Sequence, residues 1–167
     1  MIVHIRHIDS PCGELVLGEA GGELCLCSWS GMPCAGRCLR RLERLSGAQF
    51  LEASSPVLER AAAELDEYFA GRRTSFDIPL RPVGTPFQMS VWRALMQIPC
   101  GETRTYLEIA RAVGNVRGVR AVAQAIGANG LGIFIPCHRV VGSSGSLTGF
   151  AAGLPAKRLL LSLEIRV

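Results

Sequence analysis

The sequence predicts an α/β N-terminal domain followed by a mainly α-helical C-terminal domain with a helix-turn-helix and a buried strand. Three observations lead to this fold class. Strand-type alternation dominates residues 2–29, helical spacing of apolar residues dominates after Thr85, and a segment of linker composition lies between the two parts. With 167 residues and 49% hydrophobic residues, the chain can bury the core of one or two small domains.

The opening residues predict an antiparallel hairpin. Ile2 to Ile8 and Glu14 to Gly18 alternate apolar and polar residues, as half-buried strands do. Gly21-Gly22 separates the second strand from Leu24 to Trp29, and paired glycines readily supply the positive φ angles of a tight hairpin turn. The front of the chain is therefore predicted to be β-rich.

Two helices and a further strand complete the predicted N-terminal domain. Leucines between Leu39 and Leu45 recur at helical spacing, and Ser55-Pro56 is a capping residue followed by proline at the first helical position. Gly71 should end this second helix. The alternation from Thr74 to Leu80 predicts a strand. Residues 1–80 thus form a predicted α/β domain without an obvious catalytic cluster.

The segment 81–86, Arg-Pro-Val-Gly-Thr-Pro, has the composition of a linker, so the second domain is placed at 87–167. Thr85 and Gln88 have the spacing of a capping box, and Thr105 and Glu108 repeat it. The second box should start a short helix that ends at Gly114.

After a turn of about four residues, another helix is predicted from Gly118 to about Ala128, which makes a helix-turn-helix. This second helix is poor in the long polar side chains that read base edges in the major groove. Its small residues allow close backbone approach, and Arg120 among them could enter a minor groove or fill the stack left by an extruded base. The alternative is a core helix of alanine and valine with one solvated arginine.

Charge is distributed unevenly within the net +4. Residues 1–100 hold 10 Lys and Arg against 11 Asp and Glu, whereas residues 101–167 hold 8 against 3. A basic C-terminal domain suggests an anionic partner, nucleic acid first, although a basic face can also be plain solvated surface.

The chain is expected to be cytoplasmic. No apolar run approaches the roughly 18 residues of a membrane span, and Met1 to Ser10 does not resemble a signal-peptide core. The seven cysteines are accordingly interpreted as reduced thiols, either packed in the core or chemically used.

The apolar run Leu131 to Ile135 predicts a buried strand that delivers Pro136-Cys137-His138 at its end. Cys137 could attack only as a thiolate, and His138 is the obvious base. Neighbours on an extended segment point to opposite faces, which favours a bridging water over direct contact. Glu164, on a helix from Pro155 onward, could return to orient the imidazole. A structural cysteine beside a structural histidine is the alternative.

The run Ile-Pro-Cys-His-Arg-Val-Val-Gly at 135–142 and the run Gly-Ser-Leu-Thr-Gly-Phe at 145–150, with Arg120 and Tyr106 upstream, resemble the O6-alkylguanine-DNA alkyltransferase family. The resemblance is dense from Thr85 to Glu164. Tyr68-Phe69-Ala70-Gly71 and the opening strands resemble the bacterial form of the family. This resemblance implies a ribonuclease-H-like N-terminal domain and a winged-helix-like C-terminal domain.

The resemblance also implies roles for individual residues. Cys137 would accept the alkyl group, His138 would activate it through water, and Glu164 would orient His138. Arg120 would take the place of the flipped base, Tyr106 would help to rotate the nucleotide and hydrogen-bond the guanine, and Asn129 would be a structural hinge. The remaining implied residues are three DNA contacts and three substrate-pocket residues: Val119, Ala121, Gln124, Val140, Phe150 and Ala151.

The implied function is direct-reversal DNA repair, in which one methyl or alkyl group passes irreversibly from O6-alkylguanine to Cys137 after base flipping. O4-alkylthymine is a further candidate substrate. Double-stranded DNA carrying alkylated guanine is the expected partner, the protein is expected to be a monomer, and neither cofactor nor metal is predicted. Zinc was weighed for Cys25 and Cys27, taken to share a strand face with Trp29, and for Cys34 and Cys38, but core packing is the default.

Two features depart from the family pattern. Phe150 stands where the family usually has tyrosine, and Ala151-Ala152-Gly153 replaces a more glycine-rich loop. The pocket is therefore expected to react more slowly with bulky adducts than with O6-methylguanine.

Two functions of other classes remain open at this point. A non-catalytic helix-turn-helix module that senses damage would leave Cys137 incidental. A cysteine hydrolase would turn over instead of stopping after one event.

Overall fold

The computed structural model describes residues 1–166. In chain order, its strands are β1 (Ile2–Ile8), β2 (Leu15–Ala20), β3 (Glu23–Trp29), β4 (Gln49–Glu52), β5 (Arg104–Thr105) and β6 (Val140–Val141). Its α-helices are α1 (Pro33–Ser46), α2 (Pro56–Phe69), α3 (Pro86–Leu95), α4 (Tyr106–Ala112), α5 (Val119–Gly127) and α6 (Leu154–Ile165). Short 3-10 helices lie at Val116–Gly118 and Cys137–Arg139.

The N-terminal sheet has the strand order β3-β2-β1-β4. The antiparallel pair β2/β3 confirms the predicted hairpin, and β1 pairs with β2 in the same antiparallel arrangement. β4 pairs with β1 in parallel and was not predicted, because its four mostly exposed residues carry no apolar alternation. The two predicted helices of this half, α1 and α2, are confirmed.

The sheet is covered on both faces. On one face, α1 packs through Cys38 and Leu42 into the cluster that holds Val3 and Val16. On the other face, the apolar residues of α2 join the cluster that holds Leu15 and Leu17. Successive side chains of β2 therefore pack in two separate cores, because neighbouring residues of a strand point to opposite faces of the sheet.

A β-bulge in β3 separates two of the cysteines. Glu19 pairs with Leu24 and Gly18 with Leu26, so that Cys25 is the extra residue of the bulge. Cys25 packs in the cluster with Val3 and Val16, called the α1 cluster here. Cys27 packs in the cluster with Leu15 and Leu17, called the α2 cluster. The prediction that both share a face with Trp29 is therefore wrong for Cys25, because one inserted residue reverses the alternation.

The segment 74–80 is not a regular strand. A single bridge joins Leu80 to Leu24, in which Leu24 N donates to the carbonyl of Pro79. Upstream of it, Asp77 N donates to the side chain of Glu64, and Pro79 has no N–H to offer a ladder. The predicted strand is wrong because only its last residues bond to β3, whereas Asp77 N bonds to a side chain and Pro79 has no N–H to donate.

Both predicted capping boxes are present. Gln88 N donates to Thr85 Oγ1 at the start of α3, and Glu108 N donates to Thr105 Oγ1 at the start of α4, with the reciprocal bonds also made. α3 packs against α5, where Trp92 Nε1 donates to the carbonyl of Ala125 at 2.8 Å. The helix-turn-helix consists of α4, the 3-10 turn and α5.

The main core continues across the predicted linker. One cluster contains Leu15 and Leu58 of the first half together with Val91 and Ile135 of the second. Arg41 of α1 reaches across as well: its Nε donates to the carbonyl of Val83 at 3.0 Å, and its guanidinium lies 5.4 Å from the ring centre of Trp92. The boundary at 81–86 stays a prediction.

Candidate active site

The segment that carries Cys137 is a tight buried turn and not the strand that was predicted. Ile135 N donates to the carbonyl of Leu131 and Phe134 N to that of Gly132, so the backbone bonds to itself. Ile133 adopts a positive φ of 73°, which a strand excludes. Cys137 follows as the first residue of a 3-10 helix.

Asn129 holds this turn closed. Its Nδ2 donates to the carbonyl of Ile135 at 2.8 Å, and its Oδ1 accepts from Leu131 N at 2.9 Å. One amide side chain thus links the end of α5 to the residues just before Cys137. This position agrees with the hinge that the sequence predicts.

The N-terminal sheet docks directly on the same turn. Cys27 N donates to the carbonyl of Gly130, and Gly132 N donates to the carbonyl of Cys27, both at 2.8 Å. The strand β3 therefore supports the turn of the active site, although the sequence analysis assigned it no part in the site.

Cys137 is half-buried and lines a cavity of about 480 Å³, a size typical of small-molecule sites. Four further residues that the sequence analysis selected line it: Tyr106, Asn129, Phe150 and Ala151. The lining residues that sequence reasoning missed are Ser28, Trp29, Cys34, Arg37, Ala123, Ile126, Gly127, Gly132, Thr148 and Gly149. Four of these missed residues belong to β3 or α1.

Val140 does not line the cavity as predicted. Its side chain is buried in the main core, and its carbonyl accepts from Lys157 Nζ at 2.6 Å. The backbone pairing of β6 with β5 turns the side chain inward. Tyr106, by contrast, faces the cavity and donates its hydroxyl to the carbonyl of Thr148 at 3.0 Å.

His138 and Glu164 form a buried pair, with Nε2 2.6 Å from Oε1. An ionised carboxylate can only accept, so Nε2 carries the proton and Nδ1 is left as an acceptor. Among residues 1–166, no atom forms a hydrogen bond with the buried Nδ1. α6 thus returns Glu164 to the histidine, as the sequence suggested.

Comparisons with known proteins agree with this geometry. The domain family described as "6-O-methylguanine DNA methyltransferase, ribonuclease-like domain" matches residues 3–82, and its "DNA binding domain" matches residues 86–166. A methylated-DNA–protein-cysteine methyltransferase of Methanosarcina barkeri is 45% identical over 94% of each chain. One from Mycobacterium bovis is 42% identical over 98% of this chain and 93% of that relative.

The chain belongs to the 6-O-methylguanine DNA methyltransferase family. Its fold is that of the solved Mycobacterium tuberculosis OGT in complex with DNA, with a TM-score of 0.83 at 40% identity, covering 98% of this chain and 93% of that one. The predicted ribonuclease-like N-terminal domain and DNA-binding C-terminal domain are confirmed.

In this methyltransferase-family fold, Glu164 has three partners. Besides His138, Arg139 donates to both carboxylate oxygens, Nε to Oε2 at 2.9 Å and Nη2 to Oε1 at 2.8 Å, and Tyr68 donates its hydroxyl at 2.7 Å. Burial alone would raise the pKa of Glu164, but the hydrogen bonds from His138, Arg139 and Tyr68 outweigh it and lower the pKa to about 2. Glu164 is therefore a fixed anion at neutral pH.

The cysteine and the histidine are both neutral at rest. Burial raises the pKa of Cys137, although a hydrogen bond from Asn129 and the charge of Lys157 oppose the shift. Burial likewise lowers the pKa of His138 against the opposing influence of Glu164. A base must therefore remove the proton of Cys137 before it can attack.

The helix α5 presents two different faces. Val122, Ala125 and Ile126 are buried against the helical core, whereas Arg120 is exposed. Of the other predicted DNA contacts, Ala121 and Gln124 are exposed and Val119 is half-buried. The buried face agrees with a core helix, and a role of the exposed Arg120 in DNA binding stays a prediction.

The four cysteines considered for zinc are packed in two separate cores. Within the described chain, no group of three or more His, Cys, Asp or Glu side chains is arranged to hold a metal ion. Cys25, Cys27, Cys34 and Cys38 are buried in the two cores.

No helix within residues 1–166 is both long and apolar enough to span a membrane.

Proposed function

We propose that this protein repairs DNA by moving a methyl or alkyl group from O6-alkylguanine in double-stranded DNA to Cys137, once per molecule. The observation that carries the proposal is Cys137 in the cavity beside a buried His138–Glu164 pair. The relatives are named methylated-DNA–protein-cysteine methyltransferases, and the Mycobacterium tuberculosis homologue was solved with DNA.

His138 is the base in this proposal. Its unpartnered Nδ1 accepts the Cys137 proton through a bridging water, and the imidazolium that forms is stabilised by Glu164 at Nε2. The Arg139 and Tyr68 bonds keep that carboxylate ionised and correctly oriented. A buried anion 2.6 Å from the ring makes proton uptake by a desolvated histidine feasible.

The thiolate sulfur then bonds to the alkyl carbon as the bond from that carbon to O6 breaks. The electron pair of the broken bond stays on the guanine. A hydroxyl that donates a hydrogen bond to the guanine makes it a better leaving group. Tyr106 is placed for this role because its hydroxyl lies at the cavity and could donate to the base instead of to the carbonyl of Thr148. The product at Cys137 is a stable thioether that no group of the site could cleave, which limits the protein to one transfer.

DNA would enter along α5. Arg120 is exposed and long enough to fill the space left by an extruded nucleotide. The smaller Val119 and Ala121 let the backbone approach the groove, and the exposed Gln124 could contact the DNA through its amide. The excess of basic residues in 101–167 favours contact with phosphates. The protein is proposed to act as a monomer. A DNA substrate and seven free thiols suit a cytoplasmic location.

Mass spectrometry tests the proposal. After incubation with an O6-methylguanine duplex, the protein should gain the mass of one methyl group, located on Cys137, and the Cys137→Ala variant should gain none. An unmodified wild-type protein that still binds the duplex would identify a non-catalytic DNA-binding module instead. More than one demethylated guanine per protein molecule would identify a catalyst with turnover, such as a hydrolase.

A further inference from the structure

We infer that Trp29 is a specificity-determining residue of this site: with Phe150 it forms an aromatic wall that limits the size of the O6 substituent. The inference rests on the proposed alkyl transfer and adds a part played by the N-terminal domain. Trp29 lies at the end of β3 and lines the same cavity as Cys137. From the sequence alone, Trp29 is a residue of a predicted strand with no part in the site.

The indole is held in one orientation. Its Nε1 donates to the carbonyl of Cys12 at 3.1 Å, and only 5% of the residue is exposed. Rotating the ring would leave a buried N–H without an acceptor, which is unfavourable. The hydrogen bond therefore fixes the edge that the indole presents to the cavity.

The turn before Cys137 packs against the indole ring of Trp29 through Gly132. A Cβ atom added to Gly132 would lie 2.6 Å from the six-membered ring of Trp29, closer than side-chain carbons approach. Glycine at 132 is therefore needed to let the indole reach the cavity. Because Gly132 N also donates to the carbonyl of Cys27, the strand and the turn move as one unit.

Phe150 completes the wall from the other side. The two rings meet edge to face, with centroids 5.5 Å apart and planes at 76°, the geometry that aromatic pairs prefer. Phe150 lies in the loop between β6 and α6, in which no residue is fully buried, whereas the buried Trp29 lies on a sheet. Trp29 is thus the fixed member of the pair, and a substituent too large for the wall cannot displace it.

The consequence concerns substrate choice. A methyl group is small enough to lie beside such a wall, but a benzyl group must occupy space near the two rings. Pocket walls that exclude added carbon atoms typically change rates by about tenfold or more. Shrinking Trp29 should therefore favour the larger substituent selectively.

The experiment compares single-turnover rates on duplexes that carry O6-benzylguanine or O6-methylguanine. In Trp29→Leu, the benzyl-to-methyl rate ratio should rise about tenfold or more over wild type. If this variant fails to fold by circular dichroism, Trp29→Phe keeps an aromatic edge and should raise the ratio by a smaller factor. A ratio within about twofold of wild type in every folded variant overturns the inference.

Phe50→Leu is the matched control. Phe50 lies in β4 and packs in the α1 cluster away from the cavity, so the same kind of truncation should leave the ratio unchanged. A comparable rise in Phe50→Leu would assign the effect to a general loosening of the domain and overturn the inference. A wild-type protein that accepts neither group overturns the proposed function itself, whereas methyl transfer with an unaltered ratio overturns only the role of Trp29.

Discussion

Tyr68 donates a hydrogen bond of 2.7 Å to Glu164, although 96 positions separate the two residues. The bond is buried and joins α2 of the N-terminal half to the last helix. Through this bond, a side chain of the N-terminal half orients the carboxylate that pairs with His138. Stability and the proposed chemistry are therefore coupled through one side chain.

Replacing Tyr68 with phenylalanine should destabilise the protein by about 1.5–3 kcal/mol, because a buried hydrogen bond to a charged acceptor is lost. Urea unfolding measures the change. Tyr106→Phe is the matched control: its hydroxyl bonds an exposed carbonyl and should be worth about 1 kcal/mol or less. Equal losses in the two variants would contradict a special role for the Tyr68 bond.

Arg139→Met should destabilise the protein by about 3–5 kcal/mol, because it leaves the buried Glu164 charge with fewer partners. Arg104→Met removes an ion pair of the same type with Glu102 on the surface. That control should change the free energy of unfolding by about 1 kcal/mol at most. A small loss in Arg139→Met would show that the buried pair contributes little to folding.

Stability should fall as the pH falls, in two stages. The folded pKa of His138 lies below its usual 6.5 and that of Glu164, about 2, lies below its usual 4.5, so the unfolded chain binds more protons in both ranges. The contribution of the neutral His138 to the free energy of unfolding is complete above pH 6.5 and is lost as the pH falls below that value. The Glu164 contribution is complete above pH 4.5 and is lost toward pH 2.

Urea midpoints measured from about pH 8 to about pH 4 should show the first stage. In His138→Asn, the loss that begins near the usual histidine pKa should be absent, while the loss at lower pH remains. Level stability of the wild type between about pH 7 and about pH 5 would contradict a buried, neutral His138.

Arg120→Ala should slow transfer from duplex DNA about tenfold or more, because the extruded base would leave an unfilled stack. Reaction with the free base O6-benzylguanine should change far less, since nothing has to be flipped. Arg72→Ala removes an exposed charge from the N-terminal half and serves as the control. Equal effects of Arg120→Ala on the duplex and on the free base would argue against a role in base flipping.

The wild-type protein should transfer a benzyl group more slowly than a methyl group. The resemblance to the family implies that Phe150 replaces a tyrosine and that alanines replace glycines after it. Phe150 and Ala151 line the cavity, and their side chains leave less room for a bulky substituent. Single-turnover rates on matched duplexes measure the difference. Comparable rates for the two groups would contradict the narrower pocket.

Local signals in the sequence predicted much of the secondary structure. The β2/β3 hairpin, α1, α2 and both capping boxes depend on residues within a few positions of one another, and all are present. The run around Cys137 and His138 likewise pointed to the site, and Glu164 was named from its place on the closing helix. Such signals are physical consequences of turn geometry, capping and side-chain periodicity.

Apolar runs and alternation predict the wrong element where the backbone N–H groups bond to acceptors outside a sheet. An apolar run predicts burial, and residues 131–135 are buried, but it does not say which acceptor each N–H will find. Here Leu131 N donates to the side chain of Asn129, Gly132 N donates to β3, and the next two bonds stay within the turn, so no regular strand forms. The bulge at Cys25 and the inward side chain of Val140 are further outcomes of backbone pairing, which periodicity alone does not report.

By itself, the sequence determined the candidate nucleophile Cys137, its neighbour His138, the candidate DNA contact Arg120 and the family to which the chain belongs. The tertiary structure alone decided that Tyr68 and Arg139 hold Glu164, and that Trp29 forms a wall of the cavity. These contacts join residues far apart in the chain, and they exist because the N-terminal sheet packs on the turn before Cys137. Packing of distant elements leaves no periodic trace in the sequence, so the N-terminal half of the site became visible only in three dimensions.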